Sequence, residues 1–185
     1  MISEDFLQSV RDRKVHDFGN IIDVSDYDWY RFVKLIATHP NRNVVFTDPK
    51  QRVEIKECVQ RPALPRFAKN IILTLNETFY DPGNVTTLVI LGGFDSSHKS
   101  FGIHKDVMDV FYVQVLGEIN WSIWETDSPN PRIEENEGKQ VWKDKFTPGR
   151  AIWIPRGTFH NIEPLSARVG FSFAIEKHPD PSTYI

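Results

Sequence analysis

From residue 85 onward the sequence is a succession of short β-branched and aromatic runs, each cut off by glycine or proline. Val85-Thr86-Thr87-Leu88-Val89-Ile90-Leu91 is the first, and Gly92-Gly93 ends it. Residues 101–104, 109–115, 119–125, 140–146, 151–154, 159–162 and 168–175 read as further strands. β-Branched and aromatic side chains fit a pleated, half-buried surface. Many short strands at close spacing confine such a chain to a β-sandwich or barrel. Pro148-Gly149 reads as a turn. Gly117-Glu118 reads as a two-residue hairpin turn, which places Leu116 opposite Ile119, Gln114 opposite Trp121 and Tyr112 opposite Ile123. The polar stretch 126–139 is a loop and the candidate lid.

The first 84 residues have another character. Phe6, Leu7 and Val10 mark a short helix within 4–14. Ile21-Ile22-Asp23-Val24 reads as a strand. Ser25-Asp26 offers a cap, with Asp28 in the first turn, for a helix over 29–38 with Trp29, Phe32, Val33 and Ile36 on its apolar side. Pro40-Asn41 ends it. Val44-Val45-Phe46-Thr47 is a strand closed by Asp48-Pro49, and a polar linker follows. A helix over 65–78 turns Phe67, Ile71, Ile72, Leu75 and Phe79 to one face, and Asp81-Pro82-Gly83-Asn84 is a turn. The expectation is one α+β, mainly β domain over residues 1–185. A helical cover reaches to about 84, a barrel spans about 85–176, and a Pro-rich tail closes the chain.

A length of 185 residues suits one domain with a substantial core. The net charge of −3 and the lack of a long basic run argue against a dedicated nucleic-acid partner, though not against a local basic patch. Cys58 is the one cysteine, so no internal disulfide can form, and it lies far from any partner motif for a nucleophile. No signal-peptide pattern opens the chain and no apolar run matches a membrane span. The expectation is a soluble, cytoplasmic protein with no membrane partner.

The chemistry concentrates in His104-Lys105-Asp106 and in His160. A His-x-Asp pair at period two puts both side chains on one face of an extended segment. A second imidazole from a distant strand would complete three ligands with open positions opposite, an arrangement suited to non-haem Fe(II). The other reading is an exposed turn at Lys105 and Asp106 with a packed histidine.

Gly102-Ile103-His104-Lys105-Asp106, followed by Asp109-Val110-Phe111-Tyr112-Val113-Gln114-Val115-Leu116-Gly117 and Trp121, resembles the first metal-binding motif of cupin-like JmjC-type oxygenases. Thr147-Pro148-Gly149-Arg150-Ala151-Ile152-Trp153-Ile154-Pro155-Arg156-Gly157-Thr158-Phe159-His160 resembles their second. The resemblance implies a double-stranded β-helix (cupin/jelly-roll) barrel, with Fe(II) held by His104, Asp106 and His160. It also implies 2-oxoglutarate and O2 as co-substrates, with catalysis at the same three residues.

The chain departs from the family at one place. Many relatives carry a basic residue 15 positions after the first His, and Ile119 stands there. Another anchor is needed. Along the last strand Arg168, Gly170, Ser172 and Ala174 alternate with Val169, Phe171, Phe173 and Ile175, giving a small face with one cation and a bulky apolar face. Other 2-oxoglutarate oxygenases place an anchoring Arg on that strand, often near a hydroxyl residue, and an Arg fork suits a carboxylate. Arg168, Tyr112 and Ser172 are therefore the co-substrate candidates, with Gln114 and Trp121 lining the interior. The competing reading leaves Arg168 solvated.

Each remaining candidate carries two readings. His98 is a fourth ligand or a loop residue, and Ser100 a co-substrate contact or a turn serine. Asp109 orients a ligand imidazole or opens a strand. Trp121, Trp124, Trp153 and Phe159 wall a pocket or simply fill core. Arg156 guides an anionic substrate or is exposed. His16, His39 and His178 read as solvent residues. The substrate is a small molecule or a protein side chain. A homodimer is common among relatives. Two rival functions are a metal cupin that works without 2-oxoglutarate, favoured by Ile119, and a non-catalytic binding cupin.

Overall fold

The computed structural model describes residues 3–38, 42–45, 52–58, 64–78, 85–125 and 139–175. The expected turns at 48–49 and 81–84, the helix stop at 40–41, Phe79, His39, the lid candidate at 126–138 and the tail with His178 lie outside them.

The chain opens with α1 (Glu4–Arg11). The Ser3 hydroxyl accepts the Phe6 N–H at 3.2 Å, and Glu4 and Asp5 in the first turn complement the helix dipole. At the other end the Arg13 N–H donates to the Val10 carbonyl (3.2 Å) and the Lys14 N–H to the Ser9 carbonyl (2.8 Å). This paired closure bends the chain sharply into β1 (His16–Asn20). α2 (Trp29–Thr38) is capped by Asp28 itself, whose carboxylate accepts the Arg31 N–H at 2.8 Å. The expected cap residue Asp26 instead accepts the N–H of Arg66, at the start of α3 (Arg66–Thr78).

Between the helices lie β2 (Arg42–Val45) and β3 (Arg52–Cys58). The rest is β4 (Val85–Gly93), β5 (Asp109–Leu116), β6 (Ile119–Trp124), β7 (Gln140–Phe146), β8 (Arg150–Ile154), β9 (His160–Pro164) and β10 (Arg168–Ile175). Two antiparallel sheets result, one of seven strands in the order β1-β8-β5-β10-β4-β3-β2 and one of three in the order β7-β6-β9.

The alternation of β5 and β10 explains the layering. Phe111, Val113 and Val115 with Val169, Phe171, Phe173 and Ile175 form one apolar cluster with Phe6, Val10, Phe32, Phe67, Ile71 and Leu75 of the three helices. The opposite face of β5 and β8, through Val110, Tyr112, Ile152 and Ile154, packs on Ile119, Trp121, Ile123, Phe146 and Ile162 of the small sheet. Two cores thus lie on either side of the large sheet. No helix among the described residues is long and apolar enough to cross a membrane.

Four expectations change. The first 84 residues, read as a mixed, mainly helical cover, are also part of the large sheet, because β1 extends one edge of it while β3 and β2 extend the other. The stretch taken as a polar linker contains β3, whose Val53 and Ile55 are buried at alternate positions. The strand expected at 21–24 does not form; there the N–H groups of Ile21 and Ile22 both donate to the Gly149 carbonyl. Finally, β5 and β6 are not a hairpin, since β5 pairs with β8 and β10 whereas β6 pairs with β7 and β9. Gly117, at φ 70°, carries the chain from one sheet to the other and sits so close to the Ala167 carbonyl that a Cβ would lie 1.8 Å from it. The Glu118 N–H donates to the Ser166 hydroxyl at 2.9 Å, so this corner is braced by the turn before β10 rather than by a partner strand. The inward set Tyr112, Gln114 and Trp121 survives nonetheless, because two facing sheets bring the same residues together. The Tyr112 and Trp121 rings lie 5.1 Å apart.

Candidate metal centre

His104 and His160 meet through their backbones. Each donates its N–H to the other's carbonyl, at 3.0 and 2.8 Å, as an isolated bridge beside β9. The strand expected over 101–104 reduces to this one contact. A hydrogen-bonded antiparallel pair sets two side chains side by side on one face, and the imidazole centroids are 4.3 Å apart. Asp106 completes the group, and one ligand atom from each of the three residues lies within 4.8 Å of the others. Its carboxylate stands 3.9 Å from the His104 Nε2 and 3.6 Å from the His160 Nε2.

Both rings are oriented in the same way. The Nδ1 of His104 faces the Gly102 carbonyl at 2.8 Å, and that of His160 faces the Thr158 carbonyl at 2.9 Å. A carbonyl only accepts, so each Nδ1 carries the proton and each Nε2 presents its lone pair to Asp106. Burial and then the neighbouring His104 hold the His160 imidazole well below its ordinary value, opposed by Asp106. His160 is thus neutral, the form a metal requires. Two such nitrogens and a carboxylate suit a divalent first-row cation.

The turn that delivers His160 has a local cause. The Thr158 N–H donates to the Pro155 carbonyl at 3.2 Å, and Gly157 takes φ 81°, which glycine at the third place of such a turn allows. The Gly157 N–H donates to the Asp106 carbonyl at 2.9 Å. Asp109 is fully buried and does not touch an imidazole. It accepts the Arg156 N–H at 2.7 Å and forms ion pairs with Arg13 (3.1 Å) and the Arg156 Nε (3.5 Å). Arg156 is accordingly tied down rather than exposed. Arg13 was not legible as a site residue, since nothing in its sequence neighbourhood links it to a segment 96 positions away.

Behind the three residues lies the interior. Trp121 packs 5.3 Å from the His160 ring and is buried, as is its Nε1, which makes no hydrogen bond among the described residues. Arg168 is 6% exposed, which rules out the solvated reading. Its Nη1 also makes no hydrogen bond among the described residues, and desolvation holds its pKa below the ordinary value. The Tyr112 hydroxyl donates to the Gln114 Oε1 at 2.6 Å. Tyr112 lies against Gly170, where a Cβ would come 2.0 Å from the hydroxyl oxygen. Ser172 pairs across with Tyr112 in the β5–β10 register and is half-buried. Ile119 is buried in the apolar cluster of the small sheet.

The other candidates fall elsewhere. His98 accepts the Phe94 N–H through Nδ1 at 3.1 Å and is not in the ligand group. Ser100 is buried. Trp153 belongs to the opposite core, its ring 5.7 Å from Phe6, so it does not wall the site. Phe159 is buried beneath the Lys105 ammonium, 5.1 Å away. His16 is half-buried between Phe6 and Phe18, not a solvent residue. A cleft of about 670 Å³ runs along Thr158 and Ile123, lined also by Trp124, Trp142, Arg13 and Glu125.

Residues 84–181 match the family described as JmjC domain. The fold is similar to that of YcfD from Escherichia coli, at 15% identity with a TM-score of 0.66, over 97% of this chain and 54% of that one. A second YcfD structure, described as a ribosomal oxygenase in complex with cobalt and 2-oxoglutarate, gives 13% identity and a TM-score of 0.67, over 97% and 53%. SnoK, a non-haem α-ketoglutarate-dependent carbocyclase from nogalamycin biosynthesis, gives 9% identity and a TM-score of 0.63, over 95% and 84%. The chain thus spans about half the length of the YcfD chains it matches.

Proposed function

The chain belongs to the JmjC domain family, and from that premise we propose that it is an Fe(II)- and 2-oxoglutarate-dependent dioxygenase that hydroxylates a protein side chain or a small metabolite. The observation that carries this is the His104–Asp106–His160 group, with both Nε2 lone pairs turned toward one carboxylate. These three would hold the metal and are the catalytic residues of the proposal. The two sheets are read as the faces of a double-stranded β-helix, with the helices packed on its outer side. When bound, ferrous iron supplies what the side chains lack, activation of O2 coupled to oxidative decarboxylation of the keto acid.

The protein's own tasks follow from the interior. A buried cation without a full set of acceptors is costly and invites an anion. Arg168 supplies it, and a guanidinium can bind a carboxylate through two parallel hydrogen bonds. The buried Trp121 Nε1 offers a further donor close to His160. Tyr112 holds Gln114 and lies within electrostatic reach of Arg168, with Ser172 across from it. The apolar shell of Ile119, Ile152 and Ile154 keeps water from the reacting centre. Residue 119, where relatives carry the basic anchor, is thus matched by a cation from β10. That favours this reading over a metal cupin without 2-oxoglutarate and over a non-catalytic cupin. A soluble, cytoplasmic protein acting without nucleic acid or membrane, and free to form a homodimer, completes the proposal.

The test is anaerobic addition of Fe(II) and then 2-oxoglutarate to metal-free protein, followed by visible absorption. A weak charge-transfer band in the wild type that is absent in His104→Ala is the expected outcome. Iron uptake without any band at saturating 2-oxoglutarate would remove the co-substrate from the proposal.

A further inference from the structure

Arg13 stands where a glycine is expected. The paired bonds that close α1 put it in the left-handed region, at φ 56°. Glycine usually fills this place because an L side chain is strained there. Among the described residues Arg13 is the one non-glycine residue with positive φ. Such strain persists where the surrounding structure has a use for the side chain.

The partners of the guanidinium show the use. Its Nη1 lies 3.1 and 3.3 Å from the two oxygens of the fully buried Asp109, and its Nη2 makes a longer contact of 3.4 Å with the Arg156 carbonyl. Asp109 in turn accepts the Arg156 N–H. Residue 156 is therefore gripped on both sides, its N–H by Asp109 and its carbonyl by Arg13. The next two residues are the ones that touch the ligand group. The Gly157 N–H holds the Asp106 carbonyl, and the Thr158 carbonyl holds the His160 ring.

We propose that Arg13 is a positioning residue for the metal centre: with Asp109 it clamps the 155–158 turn, which sets Asp106 and His160 at once. The inference rests on the reading that His104, Asp106 and His160 bind a divalent metal. It extends that reading beyond the family match, because Arg13 lies outside residues 84–181. The site is completed by a segment that the metal-binding motifs do not contain. Anchoring α1 does not need this residue, since Phe6 and Val10 already bury the helix in the outer core.

Arg13→Gly relieves the strained backbone while removing the clamp, and Val10→Ala serves as a control that destabilises α1 alone. Co(II) is titrated into the metal-free protein and followed by its visible absorption and by calorimetry, with the Tm of the metal-free protein measured alongside. The expected result is Co(II) bound about tenfold to hundredfold more weakly, the usual range for loss of a group that orients ligands, with a lower Tm because the buried Asp109 loses a cation. Arg13→Lys should fall between, since an ammonium can reach Asp109 but cannot span to the Arg156 carbonyl as well. Co(II) affinity of Arg13→Gly within twofold of the wild type overturns the clamp. So does an equal loss of Co(II) affinity in Val10→Ala, which loosens α1 and lowers the Tm without touching the clamp. If the wild type itself takes up no Co(II), the metal centre falls and the clamp with it.

Discussion

Replacing Arg168 with Met should make the metal-free protein more stable and its co-substrate binding much weaker. The guanidinium is 6% exposed, its Nη1 has no acceptor among the described residues, and it presses so close to the β4 backbone that a Cβ on Gly93 would lie 2.7 Å from it. Leaving a buried donor unsatisfied costs about 1–3 kcal/mol. Methionine keeps much of the apolar stem and removes the charge. At about 2–4 °C per kcal/mol for a domain of this size, the Tm of the metal-free protein should rise by several degrees. On the proposed anchor role, the same change would delete two charge-assisted hydrogen bonds to a carboxylate, each worth about 1.5–3 kcal/mol. A loss of about 3 kcal/mol or more is at least a hundredfold in Kd. The assay is calorimetric titration of 2-oxoglutarate into Mn(II)-loaded protein under argon, with thermal melts of both metal-free forms. A Kd for Arg168→Met within threefold of the wild type, or a lower Tm without weaker binding, would show that Arg168 braces the sheet and does not anchor the ligand.

Other outcomes follow from single contacts. Gly170→Ala drives a methyl into the Tyr112 ring, whose hydroxyl is pinned by Gln114; overpacking of this kind costs about 1–3 kcal/mol, and urea unfolding that matches the wild type would refute it. Gly117→Ala meets both a left-handed φ and the Ala167 carbonyl, so it should fail to accumulate as soluble folded protein; a normal yield with an unaltered melt would contradict the sheet-to-sheet corner. Hydrogen bonds from Arg150 and then from the Lys145 N–H hold the Asp144 carboxyl below its usual range. A depressed carboxyl contributes stability above its unfolded value of about 4 and loses it as pH falls through the lower folded value. Urea midpoints below pH 4 should therefore fall less steeply in Arg150→Gln than in the wild type, and parallel curves would dismiss the pair as a pH-dependent contribution.

The legible parts of this molecule were those written in local pattern. The two-residue alternation of β10 separates Arg168 and Ser172 from Phe171 and Phe173 in the sequence as in the structure. The 3.6-residue spacing of Phe67, Ile71 and Leu75 places α3. His104-x-Asp106 and the Pro155-Arg156-Gly157 turn are compact enough to read directly. The misreadings arose where pairing is long-range. A glycine before a polar residue signals a hairpin, yet nothing local says that β5 and β6 belong to different sheets. β3 offers two buried residues, Val53 and Ile55, too few to stand out from Arg52, Glu54 and Lys56. Arg13 and Asp109 meet only once β1 and β5 are brought together by β8 in the large sheet, so no spacing announces them.

The backbone bridge between His104 and His160 has one consequence for the folding of the chain. On the proposed ligand set, a single ion would fasten two points of the chain more than fifty positions apart, at the place where two amides already exchange hydrogen bonds. Metal uptake and closure of the small sheet's edge then become one equilibrium, and ligand that favours the closed form adds to stability by mass action. The amide protons of these two histidines should exchange with deuterium at a rate set by free metal concentration. The edge of the β9 sheet would then serve as a gauge of iron supply.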